Sequence, residues 1–402
     1  DGGGQAMAVD GSGNVVVTGI SLNGNTTDYY TAKYAATDGA LLWEHRYNGP
    51  ATGNDEAVAV ALDRSGNVAV TGRSASASVT NRGSIHSLHD YYTAKYAATD
   101  GTLLWEKRYN GPANSDDQAT AMVIDGHGNV VVTGKSAGSA AVTNEHGFFH
   151  VTYDYCTAKY AAEDGALLWE KRYNGPANGD DVVHAVAADG AGNIVVTGRS
   201  VSSSATNAGG FINIVYHVYT AKYAAADGAL LWEKRDNGPA YEYGGASSVA
   251  VNDRDDVVVA MTSGDTNGNH DYYTAKYSGV DGTLLWEKRY DGPAHGDDVV
   301  VASRSLALGP NGMVAITGSS SGAIATVVYR EVLPAVTIDL VPAGVRLRFT
   351  HDSGSPRRIE RAPAITGPWN TLATPPAPAS GVIEYVDIDV RLGPTFYRTA
   401  QP

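Results

Sequence analysis

The fourteen residues TAKYAATDGALLWE at 31–44 return with few changes at 93–106, 157–170, 220–233 and 274–287. One phrase used five times confines the chain to repeat architectures, because each copy must take the same local structure and meet its neighbours in the same way. The threonines that open it lie 62, 64, 63 and 54 residues apart, and Thr326-Val327-Val328-Tyr329 reads as a decayed sixth copy 52 residues further on. A period of that length accommodates four short strands.

Asp38-Gly39 is a pair suited to a two-residue hairpin turn. With those two residues at the tip, Tyr34 faces Trp43 and Lys33 faces Glu44. The same register gives Lys95 with Glu106, Lys159 with Glu170, Lys222 with Glu233 and Lys276 with Glu287. Strand alternation then sets an aromatic pair on one face and an ion pair on the other. Aromatic burial at about 25 cal/mol per Å² outweighs an ion pair across a ladder, so packing drives the fold and the charges fix register.

A second phrase, of the form AVAxDGxGNVVVTG, precedes each hairpin. It carries Asp10 to Asn14, Asp63 to Asn67, Asp125 to Asn129 and Asp189 to Asn193, with weaker copies around Asp253 to Val259 and Gly309 to Gly318. Small alternating residues, a Gly-rich turn and a Val-rich run describe another hairpin. The unit is therefore four strands, a (AVAVD), b (NVVVTG), c (YTAKYA) and d (LLWEKRY). Six such units predict an all-β, six-bladed β-propeller over residues 1–332, with each tryptophan wedged against the next blade. No LLWE follows Thr326, so the sixth blade is expected to lack its own outer strand. An upstream strand, another segment or another molecule would complete it.

From about residue 333 the character changes. Residues 334–402 hold seven arginines, no lysine and six acids, a charge of about +1 against about −15 for the rest. Alternating runs at Val336 to Leu340, Val345 to Thr350, Arg357 to Arg361, Val382 to Asp387 and Phe396 to Arg398 predict a small β-sandwich over 333–402.

Net charge of −14 argues against nucleic acid or an anionic membrane as partner. No run of 18 apolar residues offers a membrane span, and residue 1 opens no signal peptide, as if a leader had been removed. The single cysteine, Cys156, excludes a disulfide framework and stands where other repeats have tyrosine, as a packed thiol would.

Binding is expected at the end of the propeller where b-to-c loops and d-to-a connections meet. The b-to-c segments lengthen in blades two to four and carry His146, Phe148, Phe149, His150 and Phe211; elaborated loops on a rigid scaffold are where ligands usually bind. The d-to-a connections end in Asp116-Asp117, Asp180-Asp181 and Asp297-Asp298, which either ring the channel mouth for a cation or cap the Asn-Gly-Pro turns. Asp265, Asn267, Asn269 and Asp271 alternate as in the start of a calcium loop, but His270 and Lys276 replace the glycine and glutamate such a loop needs. Calcium is the one cofactor this pattern admits. No linear catalytic motif occurs, and no catalytic residue is assigned.

The two phrases resemble the bacterial SBBP-type β-propeller repeat, which occurs mainly in large secreted or surface proteins. Residues 357–398 look like the fibronectin-III-like modules at the C-terminus of bacterial exported proteins. AATDGALLWEHRYNG is also similar to the tryptophan-docking phrase of quinoproteins that bind pyrroloquinoline quinone, although this chain has six units instead of eight and no vicinal cysteine pair. These resemblances imply a secreted, cell-surface or periplasmic bacterial protein; near-identical blades, none of them singled out for chemistry, point to a non-catalytic scaffold that binds protein or glycan at its loop-rich face. The alternatives are a propeller enzyme, either a quinoprotein-like dehydrogenase or a polysaccharide lyase or hydrolase, and a filament subunit that self-associates through the unfinished blade.

Overall fold

The computed structural model describes residues 2–51, 53–81, 84–138, 142–143, 149–206, 212–236, 245–264, 269–300, 305–330, 336–342, 344–350, 358–364, 366–374, 382–388 and 395–400. Five four-stranded antiparallel sheets follow one another, each in the order a-b-c-d. Sheet 1 is Gly2–Val9, Val15–Asn23, Thr26–Tyr34 and Leu41–Tyr47; sheet 2 is Glu56–Leu62, Val68–Asn81, Ser84–Tyr96 and Leu103–Tyr109. Sheet 3 is Asp117–Ile124, Val130–Ala137, Tyr153–Tyr160 and Leu167–Tyr173; sheet 4 is Val182–Ala188, Ile194–Thr206, Ile212–Tyr223 and Leu230–Asp236; sheet 5 is Gly245–Val251, Val257–Gly264, His270–Tyr277 and Leu284–Tyr290. In sheet 6, Asp298–Val299, Leu306–Gly309 and Ala323–Arg330 all pair with Met313–Ser320. No strand d accompanies them among the described residues. This is the expected β-propeller architecture with an unfinished sixth blade.

The expected c–d register is off by one. Ala35 N–H donates to the Ala40 carbonyl (2.8 Å) and Gly39 N–H to the Ala35 carbonyl (3.0 Å), so the turn holds four residues, with only Gly39 at positive φ (71°). A bulge between Lys33 and Tyr34 then sets Lys33 opposite Trp43, and Ala32, not Lys33, opposite Glu44. Lys95 likewise faces Trp105 while Glu106 faces Ala94. The Lys–Glu ladder and the Tyr–Trp pair within one hairpin are therefore wrong.

Both residue types find other partners. The Tyr30 hydroxyl donates to Glu44 (2.8 Å), Tyr92 to Glu106 (2.6 Å) and Tyr219 to Glu233 (2.7 Å). Lys33, Lys95, Lys159, Lys222 and Lys276 are buried against Asp10, Asp63, Asp125, Asp189 and Asp256 at 2.7 to 3.0 Å. In the first four the aspartate also caps the a–b turn; Asp63 accepts the Ser65 and Asn67 amides at 2.9 Å. In sheet 5 the two polar positions exchange, so Asn252 caps the turn and Asp256 meets Lys276.

Successive sheets interlock through glycines. The tryptophan of one sheet lies on the turn glycine of the next: a Cβ on Gly101, Gly165, Gly228 or Gly282 would come within 2.7 to 2.9 Å of Trp43, Trp105, Trp169 or Trp232. The wedge against the next blade is thus as expected. Lys95 Nζ (3.0 Å) and Trp105 Nε1 (3.2 Å) share the Ala162 carbonyl of that next turn, and the pattern repeats at Ala225 and Gly279. A tyrosine near the start of strand c reaches the strand-b glycine ahead of it. The phenol oxygens of Tyr29, Tyr91, Tyr155 and Tyr272 lie where a Cβ on Gly72, Gly134, Gly198 or Gly318 would be 2.7 to 2.8 Å away. Between sheets 4 and 5 both members change together, to Val218 and Met261, which pack in one buried cluster.

The chain divides into two compact units, residues 1–308 with 314–328, and residues 309–313 with 329–402. The second contains two three-stranded sheets, Val336–Val341, Gly344–Thr350 and Val382–Asp387, and Asn370–Ala373, Arg358–Ala362 and Phe396–Ala400. Val345, Leu347 and Ile359 form their shared core. Arg361 pairs with Asp387 at 2.7 Å, and the Tyr397 hydroxyl donates to the same carboxylate at 2.9 Å.

Candidate functional site

The d-to-a connections fold alike because each Asn-Gly-Pro or Asp-Gly-Pro turn leaves a backbone amide that needs an acceptor. Asp55, Asp117, Asp181 and Asp298 supply it, accepting the amides of Gly49 (2.8 Å), Gly111 (2.7 Å), Gly175 (2.5 Å) and Gly292 (2.5 Å). All four are fully buried. Burial raises the Asp117 and Asp181 carboxyls above their ordinary range, against the opposing effect of these amides. The preceding residue bridges to the sheet before: Asp116 accepts the His89 amide (3.2 Å), Asp180 that of Tyr153 (3.1 Å) and Asp297 that of His270 (3.0 Å). The paired acids thus serve as turn caps and inter-sheet ties.

The expected long b-to-c loops are largely strand. In sheet 2 the b–c ladder runs to Asn81 opposite Ser84, and in sheet 4 to Thr206 opposite Ile212. Phe149–His150 pairs with Val142–Thr143. His146, Phe148, Phe211, Asp265 and Asn267 lie outside the described residues, as do the side chains of Phe149 and His150. Asn269 donates to the His295 carbonyl (3.1 Å), and Asp271 pairs with Arg289.

Two constellations emerge of which linear reading had named individual members only, Asp116 in the first and Asp271 and Asp298 in the second. The first gathers at the loop-bearing end of sheets 2 to 4. Asp116 accepts His89 Nδ1 (2.8 Å), the Tyr153 hydroxyl (2.9 Å) and Gln118 Nε2 (2.6 Å). Burial lifts the Asp116 carboxyl, but His89 and Tyr153 outweigh it and hold the group below its ordinary range. Lys135 Nζ sits 4.1 Å from the Tyr153 ring centroid, and Arg199 lies 5.1 Å from that of Tyr216. Burial pulls the Lys135 ammonium below its ordinary value; Asp116 and Asp180 push it back up, while Arg73 and Arg199 push it further down. Arg73, Lys135 and Arg199 all follow the strand-b glycine, where sheets 1, 5 and 6 have Ile20, Thr262 and Ser319. That substitution within the repeat was the available signal.

The second constellation brings one carboxylate oxygen each from Asp271, Asp291 and Asp298 within 4.8 Å of one another. Asp291 replaces the asparagine found at 48, 110 and 174, a departure that marks it in the alignment of repeats. Two of the three charges are already answered, by Arg289 on Asp271 and by His295 on Asp291 (2.7 Å). Asp291 holds the His295 imidazole above its ordinary value.

Pyrroloquinoline quinone finds no cradle among the described residues. Four of the five repeat tryptophans, Trp43, Trp105, Trp169 and Trp232, lie on the glycine turns of the next sheet. The one cysteine, Cys156, is fully buried, its thiol pushed up to about 12 by burial. It fills the tyrosine position of sheet 3, and Glu170 there takes the Tyr109 hydroxyl (2.7 Å) instead. The packed thiol is as expected.

Successive four-stranded antiparallel sheets interlocked by one repeated set of tryptophans, tyrosines and glycines define a β-propeller repeat protein. The chain belongs to the family described as outer membrane protein assembly factor BamB, whose profile matches residues 94–331. No curated protein matches it by sequence. Among solved structures it is similar to BamB from Moraxella catarrhalis (13% identity, TM-score 0.33, covering 86% of this chain and 90% of that one). It is also similar to the polysaccharide lyase Uly1 (12%, 0.41, 87% and 87%) and to quinohemoprotein alcohol dehydrogenase from Comamonas testosteroni (11%, 0.44, 78% and 55%). Among the described residues no helix is long and apolar enough to cross a membrane.

Proposed function

We propose that the protein is a non-catalytic extracellular, cell-surface or periplasmic scaffold that binds a carboxylate-bearing glycan or protein at the loop-bearing end of sheets 2 to 4. The observation that carries this reading is the pair of cations Lys135 and Arg199, laid over the tyrosine rings of Tyr153 and Tyr216, next to Arg73, whose guanidinium is held by Glu56 at 2.8 Å. Cations backed by aromatic faces suit a ligand with flat apolar surfaces and negative charge. The strand-c lysines and Asp55, Asp117, Asp181 and Asp298 are buried in ion pairs and turn caps, which leaves them structural.

Titrating the protein with polygalacturonate and with neutral dextran tests the proposal. The acidic polymer should bind, and Lys135→Ala with Arg199→Ala should weaken it about tenfold, equivalent to about 1.4 kcal/mol, at unchanged melting temperature. Equal binding of dextran would remove the charge from the account. A second reading, a propeller enzyme, has the His89–Asp116–Tyr153 set as its supporting observation, since a histidine oriented by a carboxylate beside a phenol suits proton transfer. Steady release of shortened polymer chains, abolished in His89→Ala, would favour it over the scaffold.

A further inference from the structure

The leading face of sheet 1 has the receptor half of the inter-sheet joint and, among the described residues, no tryptophan or phenol of another sheet upon it. Val15 and Val17 are half-buried there, while their counterparts Val68 and Val70, Val130 and Val132, Ile194 and Val196, and Val257 and Val259 are all fully buried. Met7 is 56% exposed where Val60 is 6%. Gly39 has nothing within 4 Å of an added Cβ, although every equivalent turn glycine in sheets 2 to 5 carries a tryptophan. Gly19, the counterpart of the phenol-receiving glycines, lines a cavity of about 290 Å³ together with Tyr30 and Arg46. The equivalents of those last two also serve the joint. Tyr92 and Tyr219 stack at 3.6 Å on Tyr47 and Tyr173 of the preceding sheet, and Arg108 donates to the Tyr47 hydroxyl at 2.7 Å.

We propose that this face is a docking surface for one further sheet of the same repeat type, presenting a strand-c tyrosine to Gly19, a tryptophan to Gly39 and a strand-d tyrosine to Tyr30. Continuity with the joints already present between sheets 1 to 5 favours this occupant. Sheet 6 does not fit as the occupant: Ile324, 88% exposed, stands at its tyrosine position, and among the described residues it has no strand d to bring a tryptophan. At Gly19 an added Cβ would already clash with the Gly3 carbonyl oxygen of its own sheet, so the tyrosine is inferred from the open cavity beside that glycine, where the other joints seat a phenol.

The test places a copy of residues 117–179 directly ahead of Asp1 in the full chain, which keeps the natural spacing from strand d to strand a. Amide exchange over Val15 to Gly19 should slow about tenfold or more. Replacing the appended copy's equivalents of Tyr155 and Trp169 by alanine should remove that protection. Unchanged exchange with the appended sheet folded, or protection that survives the two alanines, would overturn the proposal. So would concentration-dependent protection of the same amides in the unmodified chain, which would make a second copy the occupant.

Discussion

At the scale of single residues, the positions most sensitive to a single change include lysines that sequence patterning assigns to the wrong acid. Lys159 and Asp125 meet at 2.7 Å with side chains only 2% and 0% exposed. Removing one member of such a pair strands a buried charge, at about 3 to 5 kcal/mol. Lys159→Met should reach that range in urea denaturation. Asp125→Asn added to it should recover part of the loss, because Asn252 shows that asparagine can cap this turn. Burial lifts the carboxyls of Asp63, Asp125 and Asp189, but their lysine and asparagine partners outweigh it and hold each below its ordinary range. A carboxyl depressed in the folded state contributes fully above its unfolded value of about 4 and loses that contribution as the pH falls through the folded one. Asp117 and Asp181 are shifted the other way and oppose the effect. Stability should therefore fall on acidification below about pH 4, and Asp125→Asn should flatten that limb. The turn-capping half of the Asp-x-x-Gly-Asn phrase was legible from spacing alone. Its lysine partner was not, since it depends on which strand the turn folds back upon.

At the scale of elements, one extra pair of turn residues decides where every strand-c and strand-d side chain goes. Alternation makes a single-residue slip move a side chain to the opposite face, which is why Lys33 leaves Glu44 and crosses to Asp10. Asp-Gly also fits a longer turn in which glycine alone takes positive φ, so composition did not choose between the two. Joint chemistry was half visible. Val218 and Met261 stand out as departures from the repeat, yet only the adjacency of sheets 4 and 5 shows that they compensate. Transplanting the pair tests this. Gly134→Met should press its Cβ against both the Gln118 carbonyl oxygen and the Tyr91 phenol (2.8 Å) and cost about 1 to 3 kcal/mol. Adding Tyr91→Val should return only the phenol's share, a coupling readable in a double-mutant cycle.

At the scale of the whole molecule, repeat count, strand order and the unfinished sixth sheet were legible because each is a periodicity or its interruption. The cationic site was not, because Arg73, Lys135 and Arg199 are ordinary residues until three sheets set them side by side. The acidic pairs at 116–117, 180–181 and 297–298 left two readings open in the sequence for the complementary reason: capping and cation binding ask for the same carboxylates. Charge also separates the two compact units. The five buried Lys–Asp pairs lie within the first, while Arg361–Asp387 is the ion pair of the second core. We infer that residues 333–402 form a separately melting domain, and acid should then act unequally. Calorimetry should resolve two transitions, and lowering the pH from 7 toward 4 should bring the propeller transition down further than the other. A single transition that moves as a whole would show one cooperative unit, with the change in charge near residue 333 marking no boundary in stability.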